Sequence, residues 1–199
     1  MDETLLCLLR DFEVAREVAR HLDTLNAEIV KVVDDYLNEL VLGKWKIVNS
    51  SIDGSFVISK EKWFVNEGDL LACFSFEVDN DEDDYDFWLN HMLGHSKYPF
   101  NIVCSLSGLL QSCDVDKSRL IGESNKLKGI LLSNGFSEST SRGKKVYYFT
   151  RPIKFERQKL IEAFENENPI DGISILGDIV GELDSYVPLI DDILEKLRQ

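Results

Sequence analysis

The sequence contains little proline, glycine or cysteine, and it has no long apolar run. Its 199 residues include four prolines and 12 glycines, too few for a linker-rich or low-complexity protein. No apolar stretch approaches the roughly 20 residues that span a bilayer, and the acidic start of the chain (Asp2, Glu3) is unlike a signal peptide. The four cysteines form neither a Cys-x-x-Cys pair nor a disulfide-dense framework: Cys7, Cys73, Cys104 and Cys113. These features predict reduced thiols in a cytoplasmic protein without membrane contact.

The sequence also lacks the short motifs that mark common catalytic sites. It contains no Gly-x-x-x-x-Gly-Lys-Ser/Thr loop, no Gly-x-Gly-x-x-Gly, no Gly-x-Ser-x-Gly and no His-Glu-x-x-His. His91 and His95 have the spacing of two zinc ligands on a helix, but Met92 stands where the zinc motif needs a glutamate, which favours structural or solvated histidines. We therefore expect no catalytic residue, cofactor or metal, and the sequence favours a non-enzyme without deciding the question.

Acidic residues dominate the charge, and they are unevenly distributed. The net charge is −14, from 36 acidic and 22 basic residues. Residues 1–100 carry 21 acids and 9 bases, whereas residues 117–159 carry 3 acids and 11 bases. This distribution predicts a protein with an acidic region and a separate basic patch.

The densest acidic stretch, residues 77–86, contains seven acids and no base, so it cannot be buried and predicts a solvated loop. Three of its aspartates have the spacing of calcium ligands, but Asp84 replaces the required glycine and Asn90 the required glutamate, which favours a plain acidic loop. We predict that this loop contacts a partner through six residues: Asp79, Asp81, Glu82, Asp83, Asp84 and Asp86.

Hydrophobic periodicity predicts the fold class. Residues 70–78 place Leu70, Ala72, Phe74, Phe76 and Val78 on one parity, the pattern of a half-buried strand. Residues 4–41 have helical periodicity, with a break near residues 24–26 as an alternative, and the C-terminal residues are again helical. The sequence predicts an α+β protein, an antiparallel β-meander covered by N- and C-terminal amphipathic helices. We expect one domain over residues 1–199, with a subdivision into 1–113 and 114–199 as the alternative.

A helix from residue 116, a left-handed cap at Gly135 and a hairpin are predicted between residues 116 and 150. The hairpin carries basic and aromatic side chains that suit phosphate contact and base stacking: Arg142, Lys144, Lys145, Tyr147 and Tyr148. Nucleic-acid contact here and an ordinary hairpin with solvated lysines both fit the sequence.

Four segments together suggest a known family: residues 60–63 (KEKW), 74–77 (FSFE), 127–136 (LKGILLSNGF) and 147–149 (YYF). With the flanking helices, their order resembles the C-terminal half of bacterial and phage proteins of the PD-(D/E)xK nuclease superfamily. That signature places Asp and Asp/Glu-x-Lys on adjacent strands around a divalent metal. No Asp-x-Lys or Glu-x-Lys occurs in this chain. The resemblance therefore implies a related scaffold or accessory domain and argues against an active nuclease.

These observations lead to three functional expectations. The first is a non-catalytic regulator or inhibitor in bacterial–phage defence or counter-defence, which uses an acidic face against a basic partner surface. The second is a nucleic-acid-binding accessory subunit that uses the basic patch of residues 117–159. The third is a degenerate metal-dependent nuclease.

Overall fold

A computed structural model describes residues 12–49, 55–65, 69–78, 88–93, 99–113, 115–140 and 145–197. Within these ranges the predicted N-terminal helix is one uninterrupted helix, α1 (Phe12–Val41). The break considered near residues 24–26 is absent, because the Thr24 hydroxyl donates to the Arg20 carbonyl (3.0 Å) and so fits inside the helix. The chain turns just after α1 at Gly43, whose φ of +71° is the left-handed conformation that glycine commonly adopts after a helix.

The centre of the fold is a six-stranded sheet in the order β1-β2-β5-β6-β8-β7, in which every neighbouring pair is antiparallel. Its strands are β1 (Lys46–Asn49), β2 (Ser55–Ser59), β5 (Cys73–Val78), β6 (Phe100–Ser105), β7 (Ser137–Thr140) and β8 (Tyr147–Pro152). A separate two-stranded ribbon pairs β3 (Phe64–Val65) with β4 (Asp69–Leu70). The predicted α+β class, with an antiparallel sheet between terminal helices, is confirmed.

The prediction of one strand over residues 70–78 is wrong in one respect. Leu70 pairs with Phe64 in the small ribbon, and the main-sheet strand begins only at Cys73. Leu71 and Ala72 bridge the two sheets: the Leu71 amide donates to the Trp63 carbonyl (2.9 Å), and the Ser59 hydroxyl donates to the Ala72 carbonyl (2.9 Å). Both bridging residues are buried. Their contacts with residues 59–63 therefore replace the sheet pairing that the alternation predicted.

The described residues contain eight α-helices besides α1. They are α2 (Trp88–Met92), α3 (Ser107–Ser112), α4 (Lys117–Glu123), α5 (Asn125–Ser133), α6 (Arg157–Glu165), α7 (Pro169–Ile173), α8 (Ile175–Leu183) and α9 (Val187–Leu197). Sequence periodicity predicts one helix where α4 and α5 stand. The chain divides there at Ser124, whose hydroxyl donates to the Ile121 carbonyl (3.1 Å) and bonds the Tyr147 hydroxyl (2.9 Å).

The two faces of the sheet differ in composition. Directly paired residues share a face, and one face carries the fully buried Phe56, Ile58, Phe74, Phe76 and Phe149. Tyr186, which precedes α9, packs on this face with its ring centre 6.2 Å from that of Phe74. The opposite face is built mainly from small or polar residues: Val57, Ser75, Val103, Ser105, Tyr148 and Thr150. The predicted apolar alternation in β5 is thus confirmed for residues 74, 76 and 78.

The buried side chains of α1 that the structure describes lie in the C-terminal half of the helix. Burial along the described side chains of this helix begins at Ile29, whereas Val14 and Leu22 are exposed. None of the helices in the described ranges combines the length and hydropathy that a membrane span requires.

Candidate interaction surfaces

The predicted acidic contact residues, Asp79, Asp81, Glu82, Asp83, Asp84 and Asp86, lie outside the described residues. The strands on either side fix where the segment that contains them joins the sheet. Val78 at the end of β5 pairs with Phe100 at the start of β6, so the acid-rich connection joins this end. The predicted basic hairpin joins the opposite end, where Thr140 pairs with Tyr147. The two ends of β5 are about 17 Å apart, so the two connections join the sheet at well-separated positions.

The described residues of the basic hairpin have unequal access to a partner. Arg142 and Lys144 lie outside the described residues, and Lys145 is exposed. Tyr147 is fully buried, and its hydroxyl is 2.9 Å from the Ser124 hydroxyl. Burial raises the pKa of Tyr147 to about 12. The prediction that Tyr147 stacks on a nucleic acid is therefore wrong, because its ring faces the core. Tyr148 is half-buried on the other face of the sheet.

Internal ion pairs neutralise part of the basic patch. Lys128 Nζ lies 2.5 Å from Glu138 Oε2. Arg151 donates from both terminal nitrogens to the two carboxylate oxygens of Glu182, each at 2.9 Å, and its guanidinium also lies over the Phe136 ring. These two basic residues stabilise the fold and are not free for a partner.

The C-terminal helices hold an acidic feature that the sequence reasoning missed. Residues 160–195 contain ten acidic residues and not a single lysine or arginine. Counting charge over this window would have revealed it. Three of the ten bind groups on or beside the sheet: Glu182 binds Arg151, Asp184 lies 3.4 Å from Lys60 Nζ, and Asp191 accepts from the buried Trp63 Nε1 (2.8 Å).

Other acids of this run face outward. Glu162, Glu165, Glu167, Asp171, Asp178 and Glu195 are exposed, and none is in an ion pair with another described residue. Asp178 lies beside α1, because a Cβ atom at Gly177 would stand only 2.8 Å from the Tyr36 hydroxyl. Burial, together with the charges of Asp178 and Glu39, raises the pKa of Tyr36.

We define Asp35, Glu39 and Asp178 as the acidic ridge. Asp35 and Glu39 are one helical turn apart on α1, and Asp178 belongs to α8 where that helix crosses α1. All three side chains are exposed and have no ionic partner among the described residues. The ridge therefore presents several carboxylates from two helices on one surface.

Histidines and cysteines do not form a reactive group in the described ranges. His91 is 3% exposed within α2, which agrees with the structural role predicted for it, and His95 lies outside the described residues. Burial raises the pKa of the Cys104 thiol far above its ordinary value, which keeps it un-ionised. No cluster of three or more potential metal ligands occurs among the described side chains.

We compared the chain with protein-family models, with curated proteins and with solved structures, and none of the three comparisons found a match.

Proposed function

We propose that this protein is a non-catalytic binding protein whose acidic ridge contacts a basic macromolecular surface. The observation that carries the proposal is that Asp35, Glu39 and Asp178 are exposed on two contacting helices and have no ionic partner among the described residues. The base-free run of residues 160–195 adds five further exposed acids without such a partner. Carboxylates already bound to internal cations are unavailable to a partner, whereas unpaired ones keep their full charge at the surface.

The physical advantage of such a surface lies in encounter and specificity. Like charges gathered on one surface attract an oppositely charged groove and raise the association rate, and they repel acidic competitors. The net charge of −14 adds to this field at long range. The acid-rich residues 79–86 would supply further charge to the same class of partner. A role as regulator or inhibitor in bacterial–phage conflict stays a prediction.

A charge-reversal experiment tests the ridge. We would measure binding of the full chain to core histones, used as a basic DNA-binding probe, over about 0.05 to 0.2 M salt. The double variant Glu39→Lys/Asp178→Lys should weaken binding about tenfold at low salt, because two charges that attract the basic probe become two charges that repel it. The triple variant Asp81→Lys/Asp83→Lys/Asp84→Lys tests the acidic segment separately.

The matched control is Glu13→Lys/Asp23→Lys, which changes net charge equally at exposed positions of the N-terminal half of α1. It should retain most of the binding. An equal loss in the control would show that only net charge matters and would contradict a role for the ridge. Binding that does not respond to salt would contradict the electrostatic mechanism itself.

A second candidate function is nucleic-acid binding at the basic hairpin. The observation in its favour is that Lys145 is exposed two residues before β8, in which Tyr148 is half-buried. Filter binding of DNA and RNA, with Lys144→Glu/Lys145→Glu as the variant, distinguishes this function from the first. Retention of nucleic acid by the native chain and its loss in the variant would favour the hairpin.

The third expectation, a degenerate metal-dependent nuclease, also stays a prediction. Its test is a nuclease assay over a titration of divalent metal.

A further inference from the structure

A polar cleft of about 370 Å³ opens at one end of the sheet, and none of its lining residues belongs to the acidic ridge. It lies between α3 and residues 69–72, where β5 and β6 end at the Cys73–Ser105 pair. The side chains important for its chemistry are Asp69, Cys73, Ser105, Gln111 and Ser112. The volume is within the range of small-molecule sites, which is roughly 300–1,000 Å³.

The walls of this cleft are held in place by main-chain contacts. A Cβ atom on Gly108 would stand 1.8 Å from the Leu70 carbonyl oxygen, so α3 contacts the opposite wall backbone to backbone. The Ser107 hydroxyl accepts from the Tyr147 amide (3.0 Å) and donates to the Tyr147 carbonyl (3.2 Å), which fixes α3 to β8. A preformed cleft of this kind binds a ligand without a large ordering cost.

The lining has a definite chemical character. Asp69 is exposed at the rim and is the only charged residue among the described ones that line the cleft. Gln111 donates its Nε2 to the Lys145 carbonyl (3.2 Å), which leaves its side-chain oxygen free to accept. Burial and the charge of Glu77 raise the pKa of Cys73 to about 12, so its thiol stays neutral. One carboxylate among neutral hydroxyl, amide and thiol groups disfavours anions and favours ligands rich in hydrogen-bond donors.

We infer that the cleft binds a small molecule that carries a primary ammonium group and neighbouring hydroxyl groups, the chemistry of an amino sugar. The ammonium group contacts Asp69, and the hydroxyl groups bond Ser105, Ser112 and the Gln111 oxygen. The inference is independent of the acidic ridge, since the two surfaces share no residue.

Isothermal titration of the full chain with glucosamine and with glucose, at about 0.15 M salt, tests the inference. The two sugars differ only in the ammonium group, so glucosamine should bind and glucose should bind at least several-fold more weakly. Asp69→Asn keeps the side-chain size and removes the charge, and it should weaken glucosamine binding about tenfold.

Two further variants make the test specific. Asp178→Asn removes the same charge from the acidic ridge and should leave glucosamine binding unchanged. Ser112→Phe places a ring at an exposed position on the rim, where folding is not at stake, and should block the cleft. The inference is overturned if neither sugar binds, if glucose binds as well as glucosamine, or if Asp69→Asn or Ser112→Phe binds like the native chain. Equal weakening by Asp178→Asn would also overturn it, because it would indicate general attraction to an acidic protein.

Discussion

The C-terminal helical region has two sides that use the same residue type in different ways. On the side that faces the sheet, Glu182 and Asp191 accept hydrogen bonds from Arg151 and from the buried Trp63. On the outer side, Glu165, Glu167 and Asp178 are exposed and have no ionic partner among the described residues. Both groups come from one run of sequence that contains no basic residue.

The difference shows that the acidic run serves the fold on one side only. The inner carboxylates join the helices to the sheet, because Glu182 accepts from both terminal nitrogens of Arg151 and Asp191 accepts from the buried Trp63 Nε1. The outer carboxylates contribute little to stability, since exposed charges interact weakly through water. Substitution of an inner acid should therefore affect folding more than binding. Substitution of an outer acid should affect binding more than folding.

The largest effect on the free energy of unfolding is expected from substitution of Glu182. Glu182→Ala leaves the Arg151 guanidinium, whose side chain is 17% exposed, without its bidentate partner, and removes an acceptor of the Tyr186 hydroxyl. We expect the free energy of unfolding to fall by about 3 kcal/mol, measured by urea unfolding. The matched control on the outer side, Glu165→Ala, should change it by less than about 0.5 kcal/mol. Equal losses of unfolding free energy in Glu182→Ala and Glu165→Ala would mean that the inner and outer acids do not differ in their contribution to stability.

The next largest effect on the free energy of unfolding is expected at alkaline pH. Tyr186 is fully buried, and this burial, reinforced by its hydrogen bond to Glu182, raises its pKa from 10.0 to about 12. The unfolded chain therefore releases this proton first, so the stabilisation is complete below pH 10 and is lost as pH rises towards 12. Unfolding measured over this range should show a loss on the order of 2 kcal/mol from this group. The pH dependence should be shallower in Tyr186→Phe, and an unchanged slope would contradict the assignment.

A smaller effect is expected at Asp191. Asp191→Ala removes the acceptor of Trp63 Nε1, and Trp63 is fully buried, so the free energy of unfolding should fall by about 1–2 kcal/mol. Asp191→Asn keeps an oxygen that can accept and should cost less. Lys62→Ala removes only the exposed ammonium beside Asp191 and should cost about 0.5 kcal/mol or less. If Lys62→Ala costs as much as Asp191→Ala, the ion pair and not the indole bond stabilises this contact.

Local signals predicted much of the fold. Gly135 has the positive φ value predicted for it. Gly43 after α1, Pro152 at the end of β8 and Pro188 in the first turn of α9 follow the same kind of local rule. These features depend on backbone restrictions that a residue carries with it. The division at Ser124 and the interruption at Leu71–Ala72 were not predicted, because both depend on hydrogen bonds to distant residues.

The candidate surfaces were less predictable than the fold. In the sequence Tyr147 belongs to a basic, aromatic hairpin that suits nucleic-acid contact. Pairing between β7 and β8 nevertheless directs its side chain towards the core. The chain order also could not show that Arg151 and Lys128 are neutralised by Glu182 and Glu138. Six predicted acidic residues lie outside the described residues, so their role stays a prediction.

By itself the sequence determined the α+β class, the alternation that gives the sheet an apolar face, and a large acidic excess, because periodicity and composition are properties of the chain alone. Only the tertiary structure decided which carboxylates are bound and which are free. That decision depends on contacts such as Trp63 with Asp191, which are 128 positions apart in the chain. Packing brings such residues together, and no local sequence pattern indicates these contacts.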